Sequence, residues 1–120
     1  MKPVELSDRL LAMGARIGKV VDALPDTRCG RHVAGQLIRC GTSPAPNYDE
    51  GCAAESKADF IHKLSIVHKE LRESCVWLKF IVKAELLPAS RVTKLLDECS
   101  QLASIIAQSL ITAKKRRDFK

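Results

Sequence analysis

A chain of 120 residues and 13.2 kDa is one ordinary domain, able to bury roughly two thirds of the surface its unfolded form would expose. Its 46% hydrophobic content excludes a disordered polymer, and its 4% aromatic content, against abundant Leu, Ile, Val and Ala, argues against a β-sandwich. The net charge of +6 is uneven: residues 1–60 are balanced at eight basic and eight acidic, whereas 114–120 alone carry +4 and leave the body near +2.

The first helix is expected over about 5–24, capped by Ser7 or a residue slightly upstream. Leu6, Leu10, Met13, Ile17, Val20 and Leu24 step by 4, 3, 4, 3, 4, the stripe of a helix that packs along a neighbour at a shallow angle. Gly14 and Gly18 lower its intrinsic propensity, so it depends on packing, and Pro25 stops it. The second helix spans about 27–54 with Cys29, Val33, Leu37 and Cys40 facing inward. It is kinked at Gly41-Thr42-Ser43-Pro44, where proline pushes Ser43 out of the helical region and Ser43 caps a restart with Pro44 at N1. Pro46 is tolerable there because first-turn amides lack intrahelical partners.

The third helix is the longest, 57–87, with Ser56 as N-cap, Asp59 near the positive end and Pro88 as terminator. Its core stripe is Phe60, Leu64, Val67, Leu71, Cys75, Leu78 and Val82. The fourth, 90–113, carries Val92, Leu95, Cys99, Leu102, Ile106 and Leu110. With short connections and no competing β-alternation, the pattern predicts an all-α, up-and-down antiparallel four-helix bundle over 1–113, followed by a basic tail at 114–120.

Five cysteines, none closer than eleven positions, show neither a CxxC nor a zinc-ligand spacing. They read as small apolar residues on helix faces in a reducing, cytoplasmic compartment. No signal-peptide pattern is expected, and no membrane partner: the longest uncharged run, Cys99 to Ala113, is too short to span a bilayer. His62 and His68 lie six apart and point to different faces, and His32 stands alone. No metal, cofactor, small-molecule substrate or catalytic residue is expected.

Beside its core stripe the third helix has two further faces. Lys69, Arg72, Lys79 and Lys83 make a basic face, either solvated or a nucleic-acid stripe. Ile66, Glu70, Glu73, Trp77, Phe80 and Ile81 make the other, either a second buried arc of the bundle or a subunit interface, where Trp and Phe are enriched. Lys114, Lys115, Arg116 and Arg117 in the tail are the stronger candidates for phosphate contacts.

The runs Gln36-Leu37-Ile38-Arg39-Cys40-Gly41-Thr42-Ser43, Asn47-Tyr48, Ser56-Lys57-Ala58-Asp59-Phe60-Ile61-His62-Lys63-Leu64 and Lys69-Glu70…Glu73…Trp77-Leu78 resemble the bacterial four-helix bundle proteins. Some members of that family are encoded within intervening sequences of 23S ribosomal RNA genes, and members are often labelled ribosomal-protein-like. The resemblance implies a ring-like homopentamer of undefined role, with RNA or DNA binding suggested by related pentameric bundles that serve reverse transcriptases; a protein-interaction scaffold is the alternative. Pro46, where a small residue is usual, and Gly51, in place of a better helix former, depart from the family pattern. Within the shared motif Ser43 and Ser56 read as caps and Asn47 and Tyr48 as hydrogen-bonding pins of the kink. Arg39 reads as the partner of Glu70 or Glu73, within the bundle or between subunits.

Overall fold

Four apolar stripes at helical spacing leave water by facing one another, and in the computed structural model, which describes residues 1–116, they do. Helices α1 (Pro3–Ala23), α2 (Arg28–Thr42), α3 (Pro44–Cys52), α4 (Lys57–Lys83) and α5 (Thr93–Lys115), with a 3₁₀ turn at Ala89–Arg91, build an elongated up-and-down bundle of 49 × 21 × 20 Å. α2 and α3 form one bent leg, so the bundle has four legs, each packed on its neighbours around the axis. Leu10, Ile17, Leu37, Leu71, Leu78 and Ile106 are fully buried at its centre.

The bend is a continuous helix with missing bonds, and it corrects the expected cap. Ser43 keeps helical angles, φ −72° and ψ −36°, and its side chain caps nothing. Pro44 and Pro46 supply no amide hydrogen, which frees carbonyls one turn back and opens the helix on that side. Asn47 pins the restart: its Nδ2 donates to the Ser43 carbonyl at 3.0 Å, which also accepts the Asn47 amide at 3.3 Å, and to Ser43 Oγ at 2.9 Å. Tyr48 is a core residue, buried on the inner side of the bend, and burial pushes its phenol upward.

Two close approaches fix how α2 and α3 sit. Gly41 is buried against Ile17 of α1, and a Cβ there would meet Ile17 Cδ1 at 2.6 Å and Cγ2 at 2.7 Å. Gly51, a weak helix former by propensity, lets α3 approach α4, where a Cβ would stand 3.1 Å from Lys63 Cβ.

Several boundaries differ from expectation for local reasons. α1 begins at Pro3 with Lys2 in the capping position, while Ser7 instead donates to Asp49 Oδ1 of α3 at 2.5 Å. Ser56 caps as expected, accepting from Asp59 N at 3.1 Å, and Thr27 caps α2 in addition, accepting from Gly30 N at 3.0 Å. α4 stops four residues before the expected end. Glu85 takes a left-handed φ of 56°, the Leu86 amide donates to the Ile81 carbonyl at 3.0 Å, and the Glu85 amide donates to Val82 at 3.1 Å. This is the Schellman closure, here made by Glu at the position glycine usually fills. Cys29, expected inside, is exposed together with Cys52, whereas Cys40, Cys75 and Cys99 are buried. α5 runs through Lys115, so Lys114 and Lys115 are helical rather than tail residues. Among the described residues no helix is long and apolar enough to cross a membrane.

Candidate functional site

The polar motif singled out in the sequence assembles on the seam between α2 and α4. Arg39 donates to Glu70 Oε2 at 3.1 Å and to Glu73 Oε2, and Gln36 Oε1 accepts weakly from it at 3.4 Å. Trp77 Nε1 donates to the same Glu73 oxygen at 3.2 Å. The Trp77 ring meets His32 edge-on at 5.7 Å and Phe80 at 5.6 Å. The clamp therefore joins two helices of one chain.

This placement decides between the two readings of the Trp77-bearing face of α4 for part of its length. Ile81 is fully buried and Glu70 only 7% exposed within a single chain, so these two belong to a second buried arc rather than to an exposed subunit face. Ile66, Glu73 and Trp77 are half-buried, and Phe80 at 38% is exposed beside Val76, a residue that no spacing pattern picks out. The reason is the wide buried arc of a helix with neighbours on both sides: α4 packs against α2, α3 and α5.

Arg39 holds the Glu73 carboxyl below its usual range, helped by Trp77. A depressed carboxylate stabilises the fold above its unfolded pKa and loses that contribution as pH falls through the lower folded value. Arg39→Met is therefore expected to lower the denaturation midpoint near pH 7, where it strands the buried Glu70. The gap from wild type should close as the pH drops below about 4, where free carboxylates protonate. A gap that is constant with pH would mean that packing rather than charge carries the clamp.

The expected nucleic-acid residues separate into groups. Lys69, Arg72, Lys79 and Lys83 are all exposed along α4, and none is ion-paired among the described residues. Lys69 and Arg72 flank a shallow cleft of about 350 Å³ with His68, Glu73 and Val76. Burial and Arg72 hold the His68 imidazolium below its ordinary pKa, so it adds no charge there at neutral pH. Lys114 and Lys115 sit in the last turn of α5, where cations offset the negative helix end. Arg116 follows the helix, and its carbonyl accepts from Lys57 Nζ. Arg117 lies outside the described residues.

The structure brings together a further cationic group. Arg16 and Lys19 of α1 face Arg91 of the 3₁₀ turn and Lys94 of α5 across a groove of about 340 Å³, floored by Val20 and Leu95 with Ser90 at its edge. None of the four cations is in an ion pair among the described residues. Glu98, an acid on the same seam, is already engaged by Arg9 at 2.7 and 3.0 Å, which holds its carboxyl low. Arg16 and Lys19 sit three residues apart on α1, a spacing that puts both on one helical face, while Arg91 and Lys94 come from the 3₁₀ turn and the first turn of α5. Their meeting across α1 and α5 is not visible in a linear reading.

An open apolar groove of about 320 Å³ runs between α1 and the bent leg, lined by Leu11, Gly14, Ala15, Gly18, Ile38 and Ala45 among others. Among the described residues no group of three or more His, Cys, Asp or Glu side chains is placed to hold a metal ion.

Comparison with known proteins agrees with this architecture. Residues 7–108 match the family described as 23S rRNA-intervening sequence protein. A crystal structure of a protein of unknown function from the S23 ribosomal protein family of Bacteroides thetaiotaomicron superposes with a TM-score of 0.81 at 26% sequence identity. The match covers 88% of this chain and 97% of that one. No curated protein gives a significant match.

Proposed function

The chain belongs to the 23S rRNA-intervening sequence protein family, and on that premise we propose that it is a non-catalytic bundle that binds RNA or DNA through its phosphodiester backbone. The observation that carries this reading is the groove between α1 and α5, where Arg16, Lys19, Arg91 and Lys94 converge and none forms an ion pair among the described residues, although the Arg16 charge also acts on Glu98. Cations that already sit in ion pairs gain little from a phosphate. Four free ones beside a groove release counterions when they meet one. The exposed basic face of α4 extends the same surface chemistry to a third helix. The binding is therefore expected to be salt-sensitive and independent of sequence.

Fluorescence anisotropy with labelled single-stranded RNA, single-stranded DNA and duplexes tests it. Binding is expected at about 50 mM salt and should weaken steeply by about 200 mM. Arg91→Glu with Lys94→Glu should flatten the dependence of log affinity on log salt by about two units, one for each phosphate that is no longer neutralised. Lack of binding by wild type at low salt would end the nucleic-acid reading.

We further propose that the chain assembles with itself. Leu11 and Ile38 line the apolar groove and are exposed, and Val76 and Phe80 are exposed on a different helix. Two dissimilar apolar patches suit a head-to-tail contact, the kind that closes into rings. Light scattering should give an oligomer for wild type and a smaller species for Leu11→Glu. A monomeric wild type would leave these patches as scattered surface residues.

A further inference from the structure

The stripes of α4 and α5 each place one cysteine where the two helices meet. Cys75 Sγ and Cys99 Sγ lie 3.2 Å apart. We infer that Cys75 and Cys99 form an oxidation site, a dithiol that a hydroperoxide converts into a disulfide joining α4 to α5.

The geometry sets this pair apart from the other three cysteines. Cys40 is buried on the opposite seam with Ser74 Oγ at 3.3 Å and the Leu37 carbonyl at 3.7 Å as partners. Cys29 and Cys52 are exposed, and among the described residues neither has a sulfur neighbour. Between Cys75 and Cys99 the sulfurs need to close by only about 1 Å to reach bonding distance. They also differ in access. Cys99 is fully buried, whereas Cys75 is 9% exposed and lies 3.8 Å from the hydroxyl of Ser100, an exposed residue. Both are buried, and Cys75 is the less enclosed of the two.

The electrostatics give each thiol a separate part. Cys99 S–H donates to the Leu71 carbonyl at 3.3 Å when both thiols are protonated. When Cys75 ionises, the Cys99 proton turns to it. That bond, with Ser100 and the Lys79 charge, draws the Cys75 thiol down, while Cys99 is pushed up by the same bond and by burial. Cys75, the less enclosed of the two, is thus the attacking thiolate and the fully buried Cys99 the resolving thiol. Cys75 sulfur attacks one peroxide oxygen, the O–O bond breaks, and the departing oxygen leaves as an alcohol, or as water from hydrogen peroxide, after taking a proton. The Cys75 sulfenic acid is then attacked by Cys99 sulfur: the S–O bond breaks, the S–S bond forms, and the hydroxide leaves as water with the Cys99 proton. Two thiols supply the two electrons that reduce the peroxide.

The test uses the full chain carrying Cys29→Ser and Cys52→Ser, which removes the exposed thiols. It is treated with hydrogen peroxide, alkylated with iodoacetamide in denaturant and digested with trypsin. The expected product is the 73–79 peptide joined to the 95–114 peptide, separable by dithiothreitol. The melting temperature before reduction should be about 10 °C higher, as cross-linking a loop of this length predicts. With Cys99→Ser added, Cys75 should instead be trapped by dimedone as the sulfenic acid, and circular dichroism confirms that the variant is folded. Recovery of both cysteines as alkylated peptides after peroxide would overturn the inference. So would oxidation of Cys75 to the sulfinic acid while Cys99 remains alkylatable.

Discussion

Gly30→Ala is expected to lower folding stability by about 3 kcal/mol, read as a fall in the chemical-denaturation midpoint. Gly30 stands in the first turn of α2, where a Cβ would lie 2.0 Å from the Pro25 carbonyl oxygen and 3.1 Å from Thr27 Oγ1. The first of these is a backbone atom and cannot swing aside, so the 24–27 connection has to open. Opening it also breaks the cap in which the Gly30 amide donates to Thr27, and a lost cap alone costs about 1 kcal/mol. Gly35→Ala on the same helix is the matched control. Nothing lies within 4 Å of its Cβ position, so the better propensity of alanine should raise stability by nearly 1 kcal/mol. If both substitutions shift the midpoint in the same direction, the close approach at Gly30 does not govern the turn.

Leu10→Ala should cost about 3 kcal/mol, and Leu11→Ala should stay within about 0.5 kcal/mol at low protein concentration. The two are chain neighbours of identical chemistry. Leu10 is fully buried in the centre of the bundle, and its truncation leaves a cavity that rigid neighbours cannot fill. Leu11 is 64% exposed along the apolar groove, so truncation removes little buried surface. The pair also separates folding from assembly. A Leu11→Ala penalty that grows with protein concentration would locate a subunit contact in that groove, since association stabilises by mass action.

The legible part of the fold was the part governed by periodicity. Leu6, Leu10, Met13, Ile17 and Val20 were readable as one face because their spacing follows the helical repeat, and all five are buried. Ser56 and Pro25 punctuate as their local chemistry dictates. Ser43 misled because a proline directly after a residue ordinarily disfavours helical angles there, yet packing on both sides holds the leg continuous through the bend. Cys29 fits the α2 stripe by spacing but lies in its first turn, beyond the cover of the neighbouring helices, and is exposed. Glu70 and Ile81 read as either a second buried arc of α4 or a subunit face, and their burial within one chain depends on which neighbours α4 acquires.

Of the candidate sites, the pairing of Arg39 with Glu70 or Glu73 was legible, but whether it lay within the bundle or between subunits was not, nor was the bond from Trp77 to Glu73. Their types announce ion pairing, but only the crossing of α2 and α4 makes it internal to one chain. The groove of Arg16, Lys19, Arg91 and Lys94 was invisible, since its halves are more than seventy residues apart and each looks like an ordinary solvated turn. Hydrophobic periodicity acts within each segment, so the helices, their inward stripes and the all-α bundle follow from residue order alone. Which charges pair, which cysteines meet and which apolar residues stay uncovered follow from the packed bundle, because they depend on distances between segments that a linear pattern does not carry.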